Sequence, residues 1–106
     1  MFSFAEREKK YFDVELTDGT TLFLKMPKKS LFEKISNFQR TSKNNDDDYA
    51  ATYDEVFEIA AEILSNNTSD KIFTANDVEK IVNVVNVFAF VKEYFAAVNT
   101  IANSPN

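Results

Sequence analysis

The stretch from Thr74 to Asn103 constrains the fold more than any other part of this chain. Its middle, Ile81-Val82-Asn83-Val84-Val85-Asn86-Val87-Phe88-Ala89-Phe90-Val91, is dense in Val, Ile and Phe and so has strand propensity. Length argues the other way. About thirty residues without Gly or Pro far exceed a usual strand, so the stretch reads as one long helix over 75–103. Thr74 stands where an N-cap belongs, and Asp77 comes three residues later, at the spacing of a capping box. Apolar positions then run Val78, Ile81, Val85, Phe88, Val91, Phe95, Val98 and Ala102, and the short step from Phe88 to Val91 swings this stripe around the helix. Beside that step runs a second apolar line, Val84, Val87, Phe90 and Tyr94. Two readings are open. The stretch is either a core helix wrapped by the rest of the chain, or a helix with one face on a partner. In the second case Val84, Val87, Phe90, Val91 and Tyr94 are the contact residues.

The rest of the chain must then supply cover for this helix. At 106 residues it reads as a single domain, 1–106, able to build a core without staples. Eleven Phe add core area, and a single Gly fits a helix-rich chain with few tight turns. With no Cys and no His, a disulfide framework, a thiol nucleophile, a zinc-thiolate site and an imidazole base are all excluded. Met1-Phe2-Ser3-Phe4-Ala5 is too short for the apolar core of a signal peptide, and Ile81–Val91 falls short of the about 20 residues of a membrane span. The expectation is a soluble intracellular protein with no membrane partner and no cofactor.

Charge is unevenly placed. Residues 1–43 hold nine Lys and Arg against six Asp and Glu, a net +3, while residues 44–106 hold three against eleven, a net −8, within a total of −5. An acidic total argues against general nucleic-acid binding, which needs a basic face. The split suits either head-to-tail association of copies or simply two differently charged solvated surfaces.

Residues 1–10 are a lead-in with no assigned structure. Over 11–26, Phe12, Val14 and Leu16 alternate with polar neighbours, and after Asp18-Gly19 so do Leu22, Leu24 and Met26, which predicts a hairpin. A two-residue Asp-Gly turn would put the apolar rows on opposite faces. A three-residue loop Thr17-Asp18-Gly19, with Gly19 left-handed, pairs Val14 with Leu22 and Phe12 with Leu24, and leaves Asp13/Phe23 and Tyr11/Lys25 outward. Pro27 ends the second strand. Ser30-Leu31-Phe32-Glu33 is a capping box opening a helix over 30–42 with inner face Leu31, Ile35 and Phe38. After the polar break Lys43–Asp48, a helix over 48–65 sets Tyr49, Tyr53, Val56, Phe57, Ala60, Ile63 and Leu64 opposite Glu55, Glu58 and Glu62. Asn66-Asn67-Thr68-Ser69-Asp70 turns the chain into the last helix. The fold class is therefore α+β, mostly helical: an N-terminal β-hairpin followed by three helices, the last one long.

Little in this chain points to chemistry. Asp46-Asp47-Asp48 fails the calcium-loop template, because Ala50, Ala51 and Phe57 stand where an oxygen ligand, Gly and Glu are needed. Glu55, Glu58 and Glu62 share one helix face and suit an acid–base pair or a metal, but such a row is ordinarily the wet side of a helix. There is no Gly-rich phosphate loop. The expectation is no catalysis and no metal.

The order of these features resembles a known family. The hairpin with Asp18-Gly19-Thr20, then Lys25-Met26-Pro27 and an amphipathic helix, then the acidic break, Ala61-Glu62-Ile63-Leu64-Ser65-Asn66-Asn67, the lead-in Phe73-Thr74 with Asp77, and the ending Ile101–Asn106 are similar to the small tail assembly chaperones of long-tailed phages and prophages of Gram-positive bacteria. The resemblance covers about residues 11–106. It implies a non-catalytic protein of the host cytoplasm that self-associates, binds the hydrophobic tape measure protein, and helps gather tail tube subunits. In that family a longer form is often made by ribosomal frameshifting near the end of the short reading frame. The alternative from another class is an acidic nucleic-acid mimic that inhibits a DNA-binding protein, which requires the −8 of residues 44–106 to form a dense stripe.

Overall fold

The computed structural model describes residues 1–7, 10–42 and 49–102. In chain order the elements are α1 (Phe4–Arg7), β1 (Tyr11–Glu15), β2 (Thr21–Lys25), α2 (Lys29–Ser42), α3 (Tyr49–Ser65), α4 (Ala75–Ile81) and α5 (Val84–Ala102). This is a mostly helical α+β fold with an N-terminal hairpin and a long last helix.

The hairpin has the register that keeps its apolar rows on one face: Val14 pairs with Leu22, Phe12 with Leu24, Asp13 with Phe23 and Tyr11 with Lys25. Gly19 makes this possible. Its φ of +89° is a left-handed conformation that a side chain strains, and its N–H donates to the Leu16 carbonyl at 2.9 Å. The Asp18 carboxylate accepts the Thr20 N–H at 2.9 Å, and that bond holds its pKa below the ordinary carboxylate value.

α2 starts at Lys29, with the Phe32 N–H already bonded to the Lys28 carbonyl at 3.0 Å, so Ser30 lies inside the first turn and is not the cap expected of it. Its inner face is as expected: Leu31, Ile35 and Phe38 are buried. α3 packs against α2, α4, α5 and β2, and buries Val56, Phe57, Ile59, Ala60, Ala61, Ile63 and Leu64. It is the central helix of the fold. Glu55, Glu58 and Glu62 are exposed, as their spacing predicts. Asp46-Asp47-Asp48 and the side chain of Tyr49 lie outside the described part of the chain.

The main correction concerns 75–103. It is two helices, parted at Val82 and Asn83. The capping box at the start is present in full: the Asp77 N–H donates to Thr74 Oγ1 at 3.2 Å and the Thr74 N–H donates to Asp77 Oδ2 at 2.9 Å. After seven residues, at Ile81, the helix stops. Val82 is extended, with φ −137° and ψ 151°, and Asn83 caps α5, its Oδ1 accepting the Asn86 N–H at 2.8 Å. Two local preferences combine here. Asn is a strong N-cap because its short side chain bonds the backbone of the next turn, and Val82 and Val87 occupy the N′ and N4 positions of a hydrophobic staple.

Candidate partner interface

The break resets the phase of the apolar pattern. In one continuous helix Val78 and Val85 would share a face. Here Val78 is buried and Val85 is 76% exposed. The buried line of α5 is Val87, Val91, Tyr94 and Val98, at steps of four, three and four.

This corrects the expected contact line. Of Val84, Val87, Phe90, Val91 and Tyr94, three are core: Val87, Val91 and Tyr94 have no exposed surface. Tyr94 is core because its polar end is satisfied, its OH donating to the Lys25 carbonyl at 2.8 Å while its ring stands edge-on to Phe12 at 5.5 Å. Burial raises the Tyr94 pKa well above the ordinary phenol value, so the group is neutral at physiological pH. Phe90 is half-buried, with its ring 6.3 Å from that of Phe12 and 6.4 Å from that of Tyr94. Only Val84 remains outside, 39% exposed, beside Val85. The periodicity puts Val85 on the same stripe as Val78, and it is instead the most exposed large apolar residue of α5.

What the fold offers a partner therefore lies at the α4–α5 break. Val84 and Val85 form its exposed shoulder. Beside it opens a cleft of about 240 Å³ with Val14 and Leu16 on one wall and Ile81, Val82, Val87 and Phe90 on the other. A second apolar feature is at the opposite end of β1. Met1, Phe2 and Phe4 are all exposed, and the two Phe rings meet edge-to-face at 5.0 Å. The sequence assigns no structure to residues 1–10, yet one turn of helix forms there, with Ser3 Oγ accepting the Glu6 N–H at 3.3 Å.

A third feature is hidden in the Asn66–Asp70 turn. Asn67 is buried and uses its whole amide: Nδ2 donates to the Leu64 and Lys71 carbonyls at 2.7 and 2.8 Å, and Oδ1 accepts the Ser69 and Lys71 N–H groups at 2.8 and 3.1 Å. The sequence carries a signal for it, since Asn favours turns through such bonds, but Asn66 and Asn67 are indistinguishable by type.

The carboxylate row on α3 has a different surrounding. Glu62 Oε1 lies 2.6 Å from Lys34 Nζ of α2, which neutralises part of the row that a nucleic-acid mimic would need unpaired. Among the described residues no group of three or more Asp and Glu is placed to hold a metal ion. α5 as a whole is long and apolar enough to cross a membrane by length and composition, which corrects the shorter estimate from Ile81–Val91, and core helices of soluble proteins pass the same test.

In comparisons with protein-family models, curated proteins and solved structures, nothing matches this chain.

Proposed function

We propose that this chain acts without catalysis as a tail assembly chaperone of a long-tailed phage or prophage. In this reading it self-associates in the host cytoplasm, binds the tape measure protein through the α4–α5 shoulder, and helps gather tail tube subunits. The order of sequence features from Asp18-Gly19-Thr20 to the C-terminal helix suggests the family. The observation that carries the binding role is the apolar surface left over once the core is assigned: Val84 and Val85 exposed beside an open apolar cleft. Such a surface suits the apolar stripe of an amphipathic helix, which is how a helical client is kept soluble.

The test is co-expression with a tape-measure-like helical protein that is insoluble alone. The parent chain keeps it in the soluble fraction. The double variant Val84→Glu/Val85→Glu keeps its fold, because both side chains are exposed, and loses the client, because a carboxylate is not buried in an apolar contact without a large desolvation cost. A folded double variant that still solubilises the client removes this surface from the proposal. A parent chain that never does so removes the function.

A further inference from the structure

The two edges of the hairpin are finished differently. The outer edge of β2 is closed by the turn after α3: the Lys25 N–H donates to the Asn66 carbonyl at 2.8 Å, the Thr68 N–H donates to the Phe23 carbonyl at 3.1 Å, and Asn67 bridges Leu24. Among the described residues, the outer edge of β1 is open. The bond from the Leu16 N–H to the Thr20 carbonyl, at 2.8 Å, sets the phase of the ladder. Antiparallel alternation then turns the N–H and C=O of Phe12 and Val14 toward β2, and those of Tyr11, Asp13 and Glu15 away from it. Among the described residues, no main-chain group pairs with that outward set.

Apolar cover is uneven in the same direction. On the inner face Leu22 and Leu24 of β2 are buried, whereas Phe12 and Val14 of β1 are only half-buried. The cleft at the α4–α5 break has Val14, Glu15 and Leu16 in its wall and no residue of β2, so it opens on the β1 side.

We propose that the free edge of β1 is a docking site for an extended segment of another protein, which adds to the hairpin as a third strand and alternates basic with apolar side chains. The main chain of such a segment satisfies the outward groups of Tyr11, Asp13 and Glu15, as in other cases of strand addition. Its side chains opposite Asp13 and Glu15 share their outer face, where two exposed carboxylates select Lys or Arg. The alternate side chains continue the row of Phe12 and Val14 toward the cleft beside Phe90 and are apolar. A second copy paired along the whole of β1 is disfavoured at this edge. Antiparallel pairing of β1 with itself about its centre sets Asp13 against Asp13, and like charges directly opposite are destabilising. The same carboxylates that repel a copy attract a basic strand. The inference does not use Val84 and Val85, the shoulder assigned to the helical client, although both sites border the same cleft.

The probe is a blocked peptide of about seven residues alternating Lys and Val, read by amide hydrogen exchange on the intact chain. The amides of Tyr11, Asp13 and Glu15 slow about tenfold when it binds, while those of Phe12 and Val14, already bonded to β2, change little. A Glu–Val peptide gives no protection. Asp13→Lys/Glu15→Lys, at exposed positions, keeps the hairpin and reverses the preference. Asp13→Pro removes one outward donor without touching the β1–β2 ladder and abolishes binding. No slowing at the three amides with the Lys–Val peptide overturns the proposal. So does equal protection by both peptides, or protection that grows with the concentration of the chain alone, which assigns the edge to a second copy. None of these results alters the co-expression outcome, so the two proposals fail separately.

Discussion

Helices α3 and α5 are close in length, 17 and 19 residues, and both mostly apolar, but they differ in charge. α5 carries five Val and three Phe and, for charge, only Lys92 and Glu93. α3 carries Asp54, Glu55, Glu58 and Glu62. Yet α3 is the one surrounded, touching α2, α4, α5 and β2, and α5 buries a single stripe. Burial here is set by the number of neighbours a helix has rather than by how apolar it is. α3 lies between its partners in space, so short side chains such as Ala60 and Ala61 are enclosed on it, while Val85 on α5 points at solvent. Apolar surplus on a helix at the side of a fold is then a property of the surface, and that is where a binding role is sought.

The sharpest way to break this comparison is to truncate at the hub. Ile63 on α3 has no exposed surface, so Ile63→Ala removes its transfer energy and leaves a cavity, at a cost of about 3–4 kcal/mol. Urea unfolding of the variant gives the number. A loss under about 1 kcal/mol means the site collapses freely and α3 is not the centre of the packing.

Tyr94 sharpens the picture of α5, because it is the one residue of the expected contact line whose burial is polar as well as apolar. Tyr94→Phe loses its bond to the Lys25 carbonyl, but that carbonyl also accepts Asn66 Nδ2 at 3.3 Å, so the cost is held to about 1 kcal/mol. The pH dependence carries a sign. The folded pKa of Tyr94 is raised, so its contribution is fully present below the unfolded tyrosine value and is lost as pH rises through that value toward the folded one. Parent stability therefore falls on the alkaline side of the ordinary phenol range, and Tyr94→Phe flattens part of that fall. An unchanged alkaline limb places the Tyr94 hydroxyl in water.

How much of this is legible in the residues depends on the range of the force involved. The hairpin register is, because one Gly and strict alternation allow only one arrangement that keeps Phe12, Val14, Leu22 and Leu24 together. The Thr74–Asp77 box and the inner face of α2 are legible for the same reason: spacing within one turn decides them. The break at Val82–Asn83 is not, since Val and Asn are only weakly unfavourable inside a helix and local capping has to outweigh continuation. Once the phase is lost there, the face assignments downstream fail in part: Val91 and Val98 of the first stripe are buried, but Val85 leaves that stripe, and Val87 and Tyr94 of the second line are core. The centrality of α3 is also out of reach, because it arises from packing among four elements and leaves no periodic trace.

Asn83→Ala tests the break itself. Removing the side chain that accepts the Asn86 N–H costs about 1 kcal/mol if Asn83 is a true N-cap. Ala is also the best helix former, so a competing outcome exists: a variant of equal or greater stability, with more helix by circular dichroism, means that α4 and α5 fuse once the cap is gone. The fused helix carries Val85 back to the face of Val78 and erases the difference between the two ends.

The smallest effect is the most pointed contrast with Ile63. Val85 is 76% exposed on the first turn of α5, so shortening it removes little buried surface. The helix propensity of Ala exceeds that of Val, because a β-branched side chain loses χ1 freedom against the preceding turn. Val85→Ala is therefore neutral or stabilising by up to about 0.5 kcal/mol, opposite in sign to Ile63→Ala though both truncate an aliphatic side chain on a helix. Light scattering on the same sample separates fold from function. If Val85 belongs to a contact between copies, the chain's association weakens even as its unfolding midpoint holds or rises. A Val85→Ala variant that loses more than about 1 kcal/mol of stability while associating as before instead places Val85 in the core, and α5 is then covered on the side assigned here to a partner.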